Sequence, residues 1–280
     1  HVVEPIGMAR NWKGIASLEE SDIQRVAEHL GLASADLTTM LHPRIDAARH
    51  SFFGAVIRNI HREMEQRRIA PSSLKHVPYV RAVWQVRAFS FDPKTKERLI
   101  SHCPVCHRAL GFQRTMGIAF CDWCECLDDH GFPRGAVDLR DFPQEVIEVE
   151  DREALDFVTG LIDPDADVRS SFAPDLHDDL RVDRGALFEF ATTLAAALVQ
   201  DPSRSVTSVA KPGGREDFER IEPDILARAG RILLDWPRGF HLACDESRSQ
   251  SEDRAGHYGV KKELGPLYAL SVDRTLDKKL

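Results

Sequence analysis

Two Cys-x-x-Cys pairs, Cys103-Pro104-Val105-Cys106 and Cys121-Asp122-Trp123-Cys124, stand 14 residues apart in a chain of 280. No other feature of the sequence restricts its folding so strongly. Each short loop presents two thiolates from one turn, and two such loops supply the four soft ligands that a closed, structural Zn2+ site takes in a tetrahedron. The separation suits a β-hairpin, with Leu110-Gly111-Phe112 and Gly117-Ile118-Ala119-Phe120 as two short apolar strands around a turn at Thr115. The expectation is one structural Zn2+ held by Cys103, Cys106, Cys121 and Cys124. Cys126, His102, His107 and His130 lie close enough in sequence to replace one ligand, and that choice stays open at this stage.

Four thiolates saturate a zinc ion and leave it too electron-rich to activate water, whereas a catalytic site keeps an open position. Glu125 is near, but the deaminase pattern fits poorly. His61-Arg62-Glu63 lies upstream, and Pro104 sits inside the cysteine pair rather than before it. The chain carries no Gly-x-x-x-x-Gly-Lys-Ser/Thr phosphate loop, no Gly-x-Gly-x-x-Gly after a strand and no Gly-x-Ser-x-Gly elbow. Asp163, Asp165 and Asp167 lack the glycine and distal glutamate of a calcium loop and read as a solvated acidic face. A protein without an active site is the reading.

Six cysteines are too few for a disulfide framework, and five of them crowd between Cys103 and Cys126, as metal sites do in reducing compartments. A cytoplasmic location follows as an expectation. The best apolar stretch, residues 187–199, contains Glu189 and two threonines and falls short of the roughly 18 apolar residues that span a bilayer. No membrane association is expected. No secretory signal series follows His1, and a chain beginning there is compatible with a piece of a longer one.

The net charge of −8 conceals an asymmetry. Residues 58–114 hold 12 Lys/Arg against 4 Asp/Glu, whereas residues 121–183 hold 5 against 19. The first segment can meet phosphates, with Arg62, Arg67, Arg68, Lys75, Arg81, Arg87, Lys94 and Lys96 as candidate nucleic-acid contacts. The alternative is a solvated basic surface that pairs with the acidic half of the same chain.

Hydrophobic spacing predicts a mainly α protein, with helical segments flanking one small β zinc ribbon built on the four cysteines. A helix over 18–30, with Ser17 or Ser21 as cap, stops at Gly31. A second over 35–41, capped by Ser34, gives the pair the look of a helix-turn-helix, although helical hairpins also serve packing alone. Further helices are predicted over 55–68, 151–161, 184–199 (the longest), 223–234, 237–244 and 261–270. A strand is permitted over 79–91, and loops are predicted over 132–149 and 201–215. Trp236 reads as a core residue. Three regions result: 1–75, N-terminal helical; 76–150, strand-containing with the ribbon at 103–126; and 151–280, C-terminal helical.

The segments VWQVRAFSFDPKTKERLISHCPVCHRALG, RTMGIAFCDWC, DLRDFP, ILARAGRILLDWPRGFHLAC and GVKKELGPLY stand along the chain in that order. Together they resemble the TniQ family, whose members help bacterial transposons choose where to insert. The resemblance implies a non-enzymatic adaptor that binds DNA, or a guide complex already on DNA, and recruits transposase and ATPase partners. A homodimer is compatible with it. Family members usually carry a second zinc site upstream, with a Cys-Pro-x-Cys before the family's tryptophan and a Cys-Pro-x-His after it. Here Pro78-Tyr79 and Phe91-Asp92-Pro93 occupy those places without a thiol, so one zinc is expected, with packing of Trp84, Phe89 and Phe91 in place of the second. The alternative function is a ribbon that binds another protein without touching DNA.

Overall fold

A computed structural model describes residues 20–40, 42–77, 79–112, 117–124, 137–171, 176–199 and 215–254. The chain divides into two compact units, His1–Ile147 and Glu148–Leu280. The expectations at Ser17, Thr115, Cys126, His130, residues 201–214 and residues 261–270 lie outside the described residues.

The first unit opens with α1 (Glu20–Leu30) and α2 (Ser34–Met40), which bury Ile23, Val26, Ala27 and Leu37 against one another. Helix α1 ends because Gly31, at φ +68°, takes the left-handed position, and the Leu32 amide then reaches back to the Ala27 carbonyl at 2.9 Å. That 6→1 bond satisfies a carbonyl the helix would otherwise leave unpaired.

A hairpin follows where the spacing predicted a helix over 55–68. Strand β1 (Arg49–Phe52) pairs antiparallel with β2 (Ala55–Arg58), His50 opposite Ile57 and Phe52 opposite Ala55. Phe53 and Gly54, at φ 49° and 87°, make the two-residue turn whose twist matches a hairpin. His50, Phe52, Ala55 and Ile57 are buried, a period of two rather than 3.6. Beyond β2, residues 59–61 form one 3-10 turn and the chain runs extended, bridging Arg62 to Val86 and Ile69 to Ile100.

The permitted strand over 79–91 is also corrected. Residues 82–85 form a 3-10 turn, and Val83, Trp84, Val86, Ala88, Phe89 and Phe91 are all buried. Burial of consecutive residues is incompatible with a one-sided strand, so this segment fills the core as irregular chain. Around it, single bridges pair Phe91 with Arg98, His102 with Ala109 and Phe120 with Asp138. The cysteine segment therefore has isolated bridges in place of the paired ribbon strands expected, and β1–β2 is the sheet found among the described residues. No break falls near residue 75. The backbone of Arg67 donates to Leu110 at 2.9 Å and Ile69 exchanges bonds with Ile100, which ties residues before 75 to those around the cysteines.

The short helix α3 (Pro71–Leu74) starts on a proline, where the missing N–H costs nothing. Its next two amides, Ser72 and Ser73, donate to the buried carboxylate of Glu97, which also accepts from the amide of Gln144 at 3.0 Å. A buried carboxylate demands such donors, and here a distant residue caps the turn.

The second unit is helical: α4 (Arg152–Gly160), α5 (Ala166–Ser171), α6 (Arg184–Leu198), α7 (Arg215–Glu219), α8 (Pro223–Leu234) and α9 (Arg238–Arg254). Asp151 caps α4 through the Ala154 amide, and Asp183 caps α6 through Gly185 and Ala186. At 17 residues α9 exceeds the 15 of α6, because its polar stretch beyond Cys244 continues the helix without an apolar stripe to announce it. Helix α8 packs against α4, α6 and α9. Trp236 packs with Phe240 at 5.1 Å and Phe190 at 5.9 Å between ring centroids. No helix among the described residues is long and apolar enough to cross a membrane.

Gly230 sets how closely α8 approaches α4. A Cβ there would lie 2.4 Å from the Ala154 carbonyl oxygen and 2.8 Å from Val158 Cγ2. Gly230→Ala, although it raises helix propensity, is expected to destabilise the second unit by about 1–3 kcal/mol through overpacking, measured by urea denaturation followed by circular dichroism. A midpoint equal to or above wild type would mean that the helices are not held this close.

Acid acts on the first unit through buried histidines. Burial, with the Arg58 charge, pushes His61 from 6.5 down to about 3, and burial, with Arg62 and His50, pushes His42 down to about 4. Both are neutral in the fold, whereas the unfolded chain takes up the protons below about pH 6.5, so stability present above that pH is lost as pH falls. His61 alone should cost about 2 kcal/mol between pH 7 and pH 5. Urea midpoints at the two pH values should therefore fall less for His61→Asn than for wild type, and equal falls would remove His61 from the account.

Candidate metal centre

The Sγ atoms of Cys103, Cys106, Cys121 and Cys124 all lie within 4.8 Å of one another. Cys103 Sγ is 3.6 Å from Cys124 Sγ, and Cys106 Sγ is 3.7 Å from Cys121 Sγ. Four sulfurs about 2.3 Å from a tetrahedral zinc stand about 3.8 Å apart, so the donor set fits such an ion in both chemistry and spacing. The four cysteines form a cluster compatible with a metal site.

The local chain explains the clustering. Pro104 holds the turn, His107 takes φ 58°, its amide donates to the Cys103 carbonyl at 2.9 Å, and the Cys103 amide closes the loop on the Arg108 carbonyl at 2.9 Å. Inside each loop the third residue's amide points at the first sulfur: Val105 to Cys103 at 3.4 Å and Trp123 to Cys121 at 3.3 Å. Such N–H groups favour the thiolate. Burial pushes the Cys103 thiol up, but amides from Cys106 and Val105 and the neighbouring thiols outweigh it and leave the pKa lowered. Burial pushes Cys121 and Cys124 up, and the neighbouring thiols push Cys124 further. Four thiolates would repel at this range, and a dication bound among them would let them coexist.

A buried guanidinium anchors the second pair. Arg67 donates to the Phe120 carbonyl at 2.6 Å and to the Gly117 carbonyl at 3.4 Å, and pairs with Asp122 Oδ1 at 3.1 Å; both side chains are almost wholly buried. The other Asp122 oxygen accepts the Gly111 amide. Trp123 donates its indole N–H to the Ala109 carbonyl at 3.0 Å, and the Arg108 guanidinium lies 5.4 Å from its ring centre. Asp122 thus fixes the pair from within its own loop, a role that residue type and spacing do not announce. His102 and His107 are exposed and do not join the cluster, and Cys126, His130 and Glu125 fall outside the described residues.

The candidate nucleic-acid contacts separate into two sets. Arg62, Arg67 and Arg87 are buried, which corrects their reading as phosphate contacts. Arg62 lies over the Phe52 ring, Arg87 pairs with Glu63, and Arg68, half-buried, donates to the carbonyls of Val86 and Phe89. Burial lowers the Arg62 guanidinium to about 10, still charged at neutral pH. Arg67, Arg68 and Arg87 satisfy backbone carbonyls and carboxylates that an irregular core leaves without a regular ladder. Lys75 and Lys94 are exposed, Lys96 is half-buried beside Phe91, and Arg81 is half-buried between Asp92 and the Trp84 ring. Apart from Arg68, whose guanidinium is turned onto the backbone, these four are the candidates that reach solvent at least in part.

Neither the protein-family models nor the curated proteins include a match to this chain.

Removing Arg67 would leave Asp122 charged and buried. Arg67→Met is expected to lower stability by about 3–5 kcal/mol. In zinc-replete, reducing buffer, Lys75→Ala should stay within about 0.5 kcal/mol of wild type. Equal denaturation midpoints for the two variants would remove the Arg67 clamp from the account.

Proposed function

We propose that Cys103, Cys106, Cys121 and Cys124 hold one structural Zn2+, and that the protein is a TniQ-like accessory of DNA transposition. In this reading it is a cytoplasmic adaptor without an active site that associates with DNA, or with a complex on DNA, and recruits transposase or ATPase partners. The observation that carries the metal is the approach of four sulfurs to within 4.8 Å of one another, with two of the separations, 3.6 and 3.7 Å, at the edge length of a zinc tetrahedron. The adaptor role is supported by the resemblance of the cysteine segment, the DLRDFP segment and the α8–α9 segment to that family. Direct contact with DNA is supported by the solvent-reaching cations Lys75, Arg81, Lys94 and Lys96.

A second reading, a protein-interaction module without direct DNA contact, is favoured by a different observation. Burial of Arg62, Arg67 and Arg87 thins the basic surface. Both cysteine loops project an apolar third residue, Val105 and Trp123, each more than two-fifths exposed. Exposed Trp beside Arg is a composition typical of protein-binding hot spots.

Elemental analysis of the purified protein should find about one zinc per chain, lost in Cys103→Ser/Cys121→Ser. Protein prepared under reducing, chelator-free conditions that contains no zinc would sink the metal reading. Binding to a duplex oligonucleotide should weaken with salt, and Lys75→Ala/Lys94→Ala/Lys96→Ala should flatten that salt slope by about two to three units. An unchanged slope would leave the protein-interaction reading.

A further inference from the structure

The backbone that presents Cys103 and Cys106 occurs a second time, eleven residues upstream. Asp92-Pro93-Lys94-Thr95 takes the place of Cys103-Pro104-Val105-Cys106, with proline second in both. The Asp92 amide donates to the Glu97 carbonyl at 2.8 Å as the Cys103 amide donates to that of Arg108 at 2.9 Å. The Lys96 amide returns to the Asp92 carbonyl at 2.8 Å as the His107 amide returns to that of Cys103 at 2.9 Å. Lys96 takes φ 60° and His107 φ 58°, two of the three non-glycine positive φ values among the described residues. The Lys94 amide points at Asp92 Oδ1 at 3.2 Å where the Val105 amide points at Cys103 Sγ. The flanking bridges match as well, Phe91 with Arg98 and His102 with Ala109.

What differs is the content of the loop. Ser73 Oγ donates to Asp92 Oδ2 at 2.6 Å and lies 3.2 Å from Thr95 Oγ1, which itself donates to Asp92 Oδ2 at 2.9 Å. These three oxygens close a triangle, with Asp92 and Thr95 at the positions equivalent to Cys103 and Cys106 and Ser73 of α3 closing the loop from outside, where the second cysteine pair closes it at the cysteine cluster. Asp92 is fully buried, and although burial pushes its carboxyl up, the Ser73 hydroxyl, the Trp84 side chain, the Thr95 hydroxyl and Arg81 together hold it below the usual range.

We infer that residues 92–98 are a second knuckle of the same design, closed by the Ser73–Asp92–Thr95 hydrogen-bond cluster where the first is closed by metal. Loss of the metal then releases one knuckle and leaves the other standing. This rests on the metal reading of the cysteines. Its consequence is local: the surface carrying Val105, Arg108 and Trp123 is held by the metal, whereas the surface carrying Lys94 and Lys96 is held without it.

Amide hydrogen exchange by NMR on the wild-type protein, before and after chelation under reducing conditions, tests the inference. Cys103 and His107 should lose protection by on the order of 100-fold, while Asp92 and Lys96 should change by less than about 3-fold. Loss of protection at Asp92 and Lys96 together with Cys103 and His107 would overturn it. Asp92→Ala should reverse the pattern, exposing the Lys96 amide while the metal content stays unchanged; loss of metal in that variant would also count against it. Metal analysis of the starting material separates the two claims. A metal-free protein with Asp92 and Lys96 protected would refute the zinc reading and leave the hydrogen-bonded knuckle in place.

Discussion

The buried guanidinium of Arg67 is the interaction on which the rest of the first unit depends. It reaches from an extended segment ahead of α3 to two carbonyls and a carboxylate in the second cysteine loop, about fifty residues on. The chain there has few ladders in which backbone groups could pair, and a buried carbonyl without a donor costs free energy comparable to a lost hydrogen bond. One planar cation with five donors answers three acceptors at once. The same logic recurs in Arg68 with the carbonyls of Val86 and Phe89, and in Glu97 with the amides of Ser72, Ser73 and Gln144. Ionic side chains here take the part that sheet hydrogen bonds take elsewhere.

This use of charge constrains the functional reading. A basic segment is ordinarily a surface for phosphates, and the excess of cations over residues 58–114 invites that conclusion. Burial removes three arginines from the surface and turns Arg68 onto backbone. Of the candidate contacts, Lys75, Arg81, Lys94 and Lys96 reach solvent, and the two cysteine loops expose Val105 and Trp123 beside Arg108. A DNA-associated adaptor and a protein-binding module place their weight on different members of this set.

The second unit obeys a simpler rule. Three of its helices, α4, α6 and α8, begin at Asp151, Asp183 and Pro223, residues suited to helix starts, and α6 and α8 each bury alanines. Arg231 of α8 joins Asp151 and Glu153 at the start of α4, its proton held more tightly and that of Asp151 less tightly by their hydrogen bonds. These groups are partly exposed, and solvent screens much of their attraction. The close approach at Gly230 does more to set the crossing, because carbonyl oxygen and carbon cannot interpenetrate.

The sequence by itself determined what depends on near neighbours: the first helix, read over 18–30, with its glycine stop, the helices over 151–161, 184–199 and 223–234, and four cysteines at the spacing that places their sulfurs together. Each follows from the periodicity or turn chemistry of a dozen residues. Tertiary structure decided the rest. It made a hairpin of residues 49–58, where apolar spacing fits a helix and a strand equally over so short a run. It left residues 79–91 irregular around Trp84, filled the core with arginines that composition assigned to the surface, and gave Asp122 and Glu97 their partners. The reason is physical. Spacing reports which residues prefer to be buried, but a charged group enters a core only when partners far along the chain arrive to meet it, and that meeting exists only in the folded protein.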